Sequence, residues 1–182
     1  MSTIEDKDIL AGFRDEKTRN HCFEQLVDKY QRRIYWHVRK IVLAHDDADD
    51  VVQNTFIKVW SSLEGFREDS KLFTWLYRIS TNEAINFLNK KKANLYNDWE
   101  TVEYSLSENL ASDPYFNGND IQMKLQQAIL TLPAKQRLVF NMKYFDEVKY
   151  EEMSEILGTS VGALKASYFH AVKKIEKYFG VS

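Results

Sequence analysis

The segment Asp46-Asp47-Ala48-Asp49-Asp50 sets four carboxylates within about one helical turn, and carboxylate oxygens are the ligands that hard divalent cations take. Read as catalytic, this DDxxD spacing would hold magnesium and a diphosphate. A second metal motif is then needed, and the nearest candidate, Asn97-Asp98-Trp99-Glu100-Thr101, has Ser105 where a glutamate should stand. The four histidines, His21, His37, His45 and His170, are scattered, and Cys22 beside His21 has no further ligand at useful spacing. No nucleophile–base pair and no phosphate-cradling glycine loop occurs, so neither catalysis nor a cofactor is expected. Two other groups of residues suit a different chemistry. Trp75, Arg78, Asn82, Asn86 and Asn89 recur at steps of three and four and lead to Lys90, and Lys165, Ala166, Phe169, His170 and Lys173 do the same later in the chain. Amides and cations in such files can hydrogen-bond base edges and phosphates.

Files of this kind need helices to carry them. The chain has 182 residues with only two prolines and six glycines, too few turn formers for a many-stranded sandwich or barrel. No window approaches the roughly 20 apolar residues of a membrane span. The N-terminus carries acids where a secretory signal needs a basic and then an apolar run. One cysteine allows no internal disulfide, which fits a reducing, cytoplasmic location. The net charge of -2 is uneven: residues 97–120 carry six acidic groups and no basic one, whereas 1–96 and 121–182 are slightly basic. With Pro114 and Gly118 and no sustained periodicity beyond a short turn near 106–110, that stretch reads as a flexible acidic linker. The expected organisation is all-α, with two small helical domains at 1–96 and 121–182.

In the first domain, Phe23, Leu26, Val27, Tyr30, Ile34, Val38, Ile41 and Val42 form one apolar stripe along a helix of about six turns. Val51, Val52, Thr55, Phe56, Val59, Trp60 and Leu63 repeat the pattern on a helix starting near Asp47, whose neighbouring aspartates suit a helix N-terminus. Gly65 stops it. A third helix follows the loop 66–70, with Phe73, Leu76, Tyr77, Ser80, Ala84, Phe87 and Leu88 facing the core and Lys90, Lys91 and Lys92 at its end.

In the second domain a short amphipathic helix carries Ile121, Leu125, Ala128 and Ile129, and the next begins at Pro133 with Leu138, Met142 and Phe145 inward. Tyr150 to Leu157, the turn Gly158-Thr159-Ser160, and Val161 to Tyr178 then have the spacing of a helix-turn-helix. Ser160 can cap the second helix. Its core positions Val161, Leu164, Tyr168, Ala171, Val172 and Ile175 leave Gly162, Lys165, Ala166, Phe169, His170 and Lys173 outward, a basic face with small residues at its N-terminal end, as insertion into a major groove requires.

Four segments together carry a resemblance: His45 to Trp60 (HDDADDVVQNTFIKVW), Phe73 to Ala84 (FTWLYRISTNEA), Leu132 to Phe140 (LPAKQRLVF), and the helix-turn-helix through Lys174. In this order they resemble the bacterial RNA polymerase sigma factors of the extracytoplasmic-function type, which consist of sigma regions 2 and 4. The resemblance implies a transcription initiation factor that is not an enzyme. It would bind core polymerase, recognise minus-10 and minus-35 promoter elements and promote melting, as a monomer held in check by an anti-sigma factor. It further implies that Asp49, Asp50, Gln53, Asn54, Ile57 and Lys58 dock on the clamp helices of the largest polymerase subunit. Phe66, Arg67, Ser70 and Lys71, with Arg78, Asn82, Asn86 and Lys90, would melt and read the minus-10 element, Phe66 by stacking. Lys165, Ala166, Phe169, His170 and Lys173 would grip the minus-35 element, while the first helices of that domain touch the polymerase flap. Many relatives have arginines where Ser167, His170 and Val172 stand here, which implies a smaller salt slope. Two rivals are weaker: a magnesium-dependent terpenoid enzyme built on the DDxxD motif, and a stand-alone helix-turn-helix regulator that binds duplex as a dimer.

Overall fold

The computed structural model describes residues 4–94 and 120–181, all helical with short connections. Apart from Asp120, the acidic segment, with Pro114, Gly118 and the turn at 106–110, lies outside the described residues. The helices are α1 (Asp6–Phe13), α2 (Arg19–Val42), α3 (His45–Ser62) and, after a 3-10 turn at Leu63–Gly65, α4 (Leu72–Asn94). The second unit has α5 (Asp120–Leu130), α6 (Ala134–Tyr144), α7 (Tyr150–Leu157) and α8 (Val161–Tyr178).

Helix α2 is the axle of the first unit, and its 24 residues follow directly from its apolar spacing. Cys22, Leu26, Tyr30, Ile34, Val38 and Val42 are all buried. It stops where Leu43 adopts φ 67° and its N–H bonds the Arg39 carbonyl at 2.9 Å. A left-handed non-glycine residue costs about 1–2 kcal/mol, and burial of the Leu43 side chain offsets it. Helix α3 opens with Asp46 and Asp47 in its first turn and buries Ala48, Val51, Thr55, Phe56 and Val59 against α2 and α4. Helix α4 buries Leu72, Leu76, Tyr77, Ser80, Thr81 and Ala84, with Phe73, Phe87 and Leu88 half-buried beside them.

Helix α1 is an addition to the elements legible in the sequence. It buries Ile9, Leu10 and Phe13 and ties Asp6 to Lys29 Nζ (2.7 Å) and the Tyr30 hydroxyl (2.8 Å). Its approach to α2 needs Gly12: a Cβ there would stand 2.3 Å from the Cys22 Sγ. The structure corrects two details of the second unit. Pro133 is the N-cap of α6, extended at ψ 143°, and not its first helical residue. Phe145 is 38% exposed, and the inward positions are Val139, Phe140, Asn141 and Met142. Helix α6 is packed on two sides, so its apolar residues do not form a single stripe. Val139 and Met142 join the core of the first unit, while Phe140 joins Ala128, Ile129, Leu132, Ala171 and Ile175 in a core of the second.

That sharing makes the two units one packed body. Val148, Met153, Ile156 and Leu164 also belong to the large core containing α2, α3 and α4, and α7 lies directly against α4. A buried polar cluster marks the seam. Asp146, between α6 and α7, accepts from His37 Nδ1–H at 3.0 Å and from the Lys40 ammonium, while Arg33 donates to its backbone carbonyl at 3.2 Å. The Nε2 of His37 meets Thr81 Oγ1 at 2.8 Å. Burial alone would push the Asp146 carboxyl up, but the hydrogen bond from His37 and the charges of His37 and Lys40 hold it below the usual carboxylate range. Buried charges persist where they are paired in this way.

Candidate polymerase and nucleic-acid interfaces

On α3 the pattern that buries Val51, Thr55, Phe56 and Val59 leaves Asp49, Asp50, Gln53, Asn54, Ile57 and Lys58 exposed on the opposite side. All six candidate polymerase residues therefore share one stripe. Its centre is apolar, since Ile57 is 61% exposed and Trp60 lies beyond it with its ring edge on Phe13 and Phe23. Two ends are anchored: Lys58 bonds Glu83 of α4 at 2.6 Å, and Asp49 faces His45 at 3.6 Å. Asp47, turned toward α4, pairs with Lys91 at 2.6 Å, and Asp46 is exposed. The aspartates thus diverge around the helix, and among the described residues no group of three or more His, Cys, Asp or Glu is placed to hold a metal.

Helix α4 carries Arg78, Asn82, Asn86 and Lys90 at four-residue intervals, all exposed, on the face away from Leu76, Tyr77 and Ala84. Cations flank two amides there, an arrangement able to hold a backbone while reading base edges. The loop before α4 turns at Glu68, whose φ is 62° and whose carboxylate pairs with Arg14. This leaves Arg67 exposed and Ser70 half-exposed. The expectation that Phe66 stacks on a base is corrected: its side chain is 6% exposed, in the core, with its ring 5.0 Å from Trp75. Phe66 follows the 3-10 turn, its N–H bonded to the Leu63 carbonyl at 3.1 Å, and packing its ring on Trp75 takes that apolar surface out of water. Trp75 is half-buried against the same core and supports Phe66.

Lys71 is exposed but engaged. It bonds Glu152 of α7 at 2.8 Å across the seam. Burial raises the Glu152 carboxyl, yet the hydrogen bonds from Lys71 and from the Lys149 N–H bring it below the ordinary range and keep it ionised. The partnership gives Lys71 the opposite shift: the hydrogen bond to Glu152 raises its ammonium.

The helix-turn-helix is closed by local chemistry. Gly158 takes φ 60° and ends α7, a conformation in which glycine escapes the Cβ clash. Ser160 Oγ accepts from the Ala163 N–H at 3.3 Å and starts α8. Leu164, Ala171 and Ile175 are buried, so Lys165, Ala166, Phe169, His170 and Lys173 stand together outside, Phe169 at 57% exposure. Lys165 lies 5.7 Å above the Tyr150 ring, and Lys173 pairs with Glu176.

Three residues at the seam carry no signal in the sequence pattern: Asp146, Lys40 and Glu152 look like ordinary surface charges. Only His37, a polar group inside the apolar stripe of α2, hints that something polar meets that face.

Comparison with known proteins agrees with this geometry. Residues 26–94 match the model of Sigma-70 region 2, and residues 122–175 that of Sigma-70, region 4. The chain is 31% identical over 179 residues to the ECF RNA polymerase sigma factor SigW of Bacillus subtilis (strain 168), covering 94% of this chain and 92% of the relative. It is 29% identical over 171 residues to the ECF RNA polymerase sigma-E factor of Escherichia coli (strain K12), covering 90% of this chain and 89% of that one. Among solved structures, the sigma factor RpoE in complex with the anti-sigma factor NepR from Bartonella quintana aligns with TM-score 0.69 at 23% identity, over 88% of this chain and 98% of that one. The structure of CnrH in complex with the cytosolic domain of CnrY aligns with TM-score 0.68 at 21% identity, over 97% and 98%.

Proposed function

Because this chain belongs to the extracytoplasmic-function RNA polymerase sigma factors, and so acts as a transcription initiation factor that brings core polymerase to specific promoters, we propose a division of labour among its surfaces. The α3 stripe Asp49, Asp50, Gln53, Asn54, Ile57 and Lys58 docks on the clamp helices of the largest subunit, its acids and amides meeting a basic partner around the apolar Ile57. Arg67, Ser70 and Lys71 with Arg78, Asn82, Asn86 and Lys90 hold and read the minus-10 element as it opens. Lys165, Ala166, Phe169, His170 and Lys173 enter the major groove at the minus-35 element, while α5 and α6 face the polymerase flap. The domains are 1–96 and 121–182, joined by the acidic segment. The protein works as a monomer in the cytoplasm, and no reaction of its own is assigned to it. Among the described residues no helix is long and apolar enough to cross a membrane.

One observation carries this assignment: the single exposed file of Arg78, Asn82, Asn86 and Lys90 on a helix whose other side is core. A core helix that exposes two amides between cations is built to touch something polar and anionic. Control by an anti-sigma factor is supported by the two aligned structures, each of which is described as a complex with a protein partner, NepR as an anti-sigma factor.

The test is runoff transcription with purified core polymerase on a library of genomic fragments. Start sites that appear only when this protein is added, preceded by two common elements, are the expected result. Specific binding to duplex by the protein alone would overturn the assignment.

A further inference from the structure

Where α2 and α4 meet the start of α6 and the end of α7, a cleft of about 420 Å³ remains, and none of the named polymerase or DNA residues lines it. Its floor is aliphatic, made by Ile41 of α2, Ile85 and Leu88 of α4, Leu138 of α6 and Leu157 of α7. Ile85 is 37% exposed and the other four are half-buried, so this apolar surface still meets water. Clefts of roughly 300–1,000 Å³ with a mainly apolar lining and a few polar groups are the size and kind that take small molecules.

The rim is of one sign. Among the described residues that line the cleft, the charged ones are Lys40, Lys135 and Arg137, and none is acidic. Lys40 is already bonded to Asp146, and Arg137 donates to the Leu130 carbonyl at 3.3 Å. Lys135 is exposed, and no carboxylate among the described residues pairs with it. Ala134 and Lys135 also open α6, whose N-cap, Pro133, offers no side chain to the first N–H groups of the helix. Those donors and the positive end of the helix dipole therefore lie on the same wall as the Lys135 ammonium. Asn89 and Thr159 complete the rim without adding charge.

We propose that this cleft binds a small amphipathic anion of the medium-chain carboxylate class, its hydrocarbon tail on the aliphatic floor and its carboxylate against Lys135 and the start of α6. An alkyl tail suits the floor because it needs no hydrogen bond there, and taking both apolar surfaces out of water drives the association. The head suits the rim because a carboxylate accepts charge-assisted hydrogen bonds from an ammonium and from backbone N–H groups. A folded partner is a poorer match, since specific protein contacts cover about 800 Å² on each side, a broad face and not a single cleft. Such a site exists whichever surfaces meet polymerase and promoter.

The test is calorimetric titration of the full-length protein with hexanoate, octanoate and decanoate, each below its micelle concentration. Affinity should rise by roughly three- to fourfold per added methylene, the worth of burying one such group. Decyltrimethylammonium, with a like tail and the opposite charge, should bind at least about tenfold more weakly than decanoate. Lys135→Gln removes the partner of the head, and Ile85→Glu puts a like charge on the floor. Both positions are exposed, and circular dichroism checks that helicity is retained. Each variant should weaken decanoate binding at least about fivefold, whereas Lys124→Gln, an exposed lysine away from the cleft, should change it by less than about twofold. No saturable binding, equal binding of the cationic amphiphile, or unchanged affinity in Lys135→Gln overturns the proposal. So does a synthetic acidic peptide with the sequence of residues 97–120 that binds in a Lys135-dependent way while decanoate does not, because the cleft then belongs to a protein segment.

Discussion

The α3 stripe and the loop preceding α4 belong to the same bundle, yet they meet solvent on different terms. On α3 every candidate polymerase residue is exposed, and Ile57 presents bare apolar surface. Beside the loop, Lys71 is paired across the seam, and three glutamates of α7 line the space there together with Lys7 and Lys149. The stripe proposed to meet protein is therefore open in the packed body, whereas Lys71 of the loop already has a partner. The difference teaches that α3 is packed on one side only and leaves a whole face to solvent, whereas the loop lies where α4 and α7 meet, so its charges find partners there.

Breaking the first half of the comparison has the largest expected effect. Asp50→Arg puts a cation into the acidic stripe proposed to meet a basic partner, and should weaken polymerase binding by at least about 100-fold, measured by fluorescence anisotropy, with helicity unchanged. Truncating the shared core tests whether the two regions form one body. Met153→Ala, at a fully buried position of α7, should cost about 2–5 kcal/mol in denaturant unfolding and lower the stability of both units together. Independent transitions for the two units would show the seam to be superficial. The second half is sharpened by Asn82→Ala, which should reduce promoter opening about 10- to 100-fold, the worth of one base-reading amide, while leaving polymerase affinity within about twofold. Loss of polymerase binding in this variant would refute the assignment of the α4 face.

Smaller effects probe the Asp146 cluster and the helix-turn-helix. Asp146 is held below the usual carboxylate range, so its contribution to the seam is fully present above about pH 4 and disappears only as pH falls through its lowered folded value. Solution scattering should show the body staying compact as pH drops through about 4 and expanding below it, and Asp146→Asn should abolish that dependence. Ser160→Ala, which removes the cap of α8, should cost about 1 kcal/mol and weaken minus-35 binding without altering the α3 stripe.

Most of the helices are legible in the sequence, because a stripe at steps of three and four is a local property that survives wherever the helix is placed. The stripe from Phe23 to Val42, the Gly158 turn and the Ser160 cap all lie where the spacing puts them. Outward faces follow by subtraction, which is why the α3 stripe, the α4 file and the α8 face could be named by residue. Where two helix faces are buried at once, subtraction fails. The spacing puts Phe145 inward and leaves out Val139 and Phe140, whereas α6 is packed between the two units and buries the latter pair. Phe66 differs for a related reason: an aromatic beside a cation has the local pattern of a stacking platform, but a partner distant in sequence, Trp75, takes its ring into the core.

The amino-acid order alone determined an all-helical chain of two halves, its helix-turn-helix and the chemistry of its three outward faces, because periodicity and capping act over a few residues. Only the tertiary structure decided that the halves share a core and that Glu152 reaches Lys71, 81 positions away, and Asp146 reaches His37, 109 away. Nothing local encodes such pairings. They arise when apolar surfaces on α2, α4, α6 and α7 are buried together and the charges at their edges must find partners away from water.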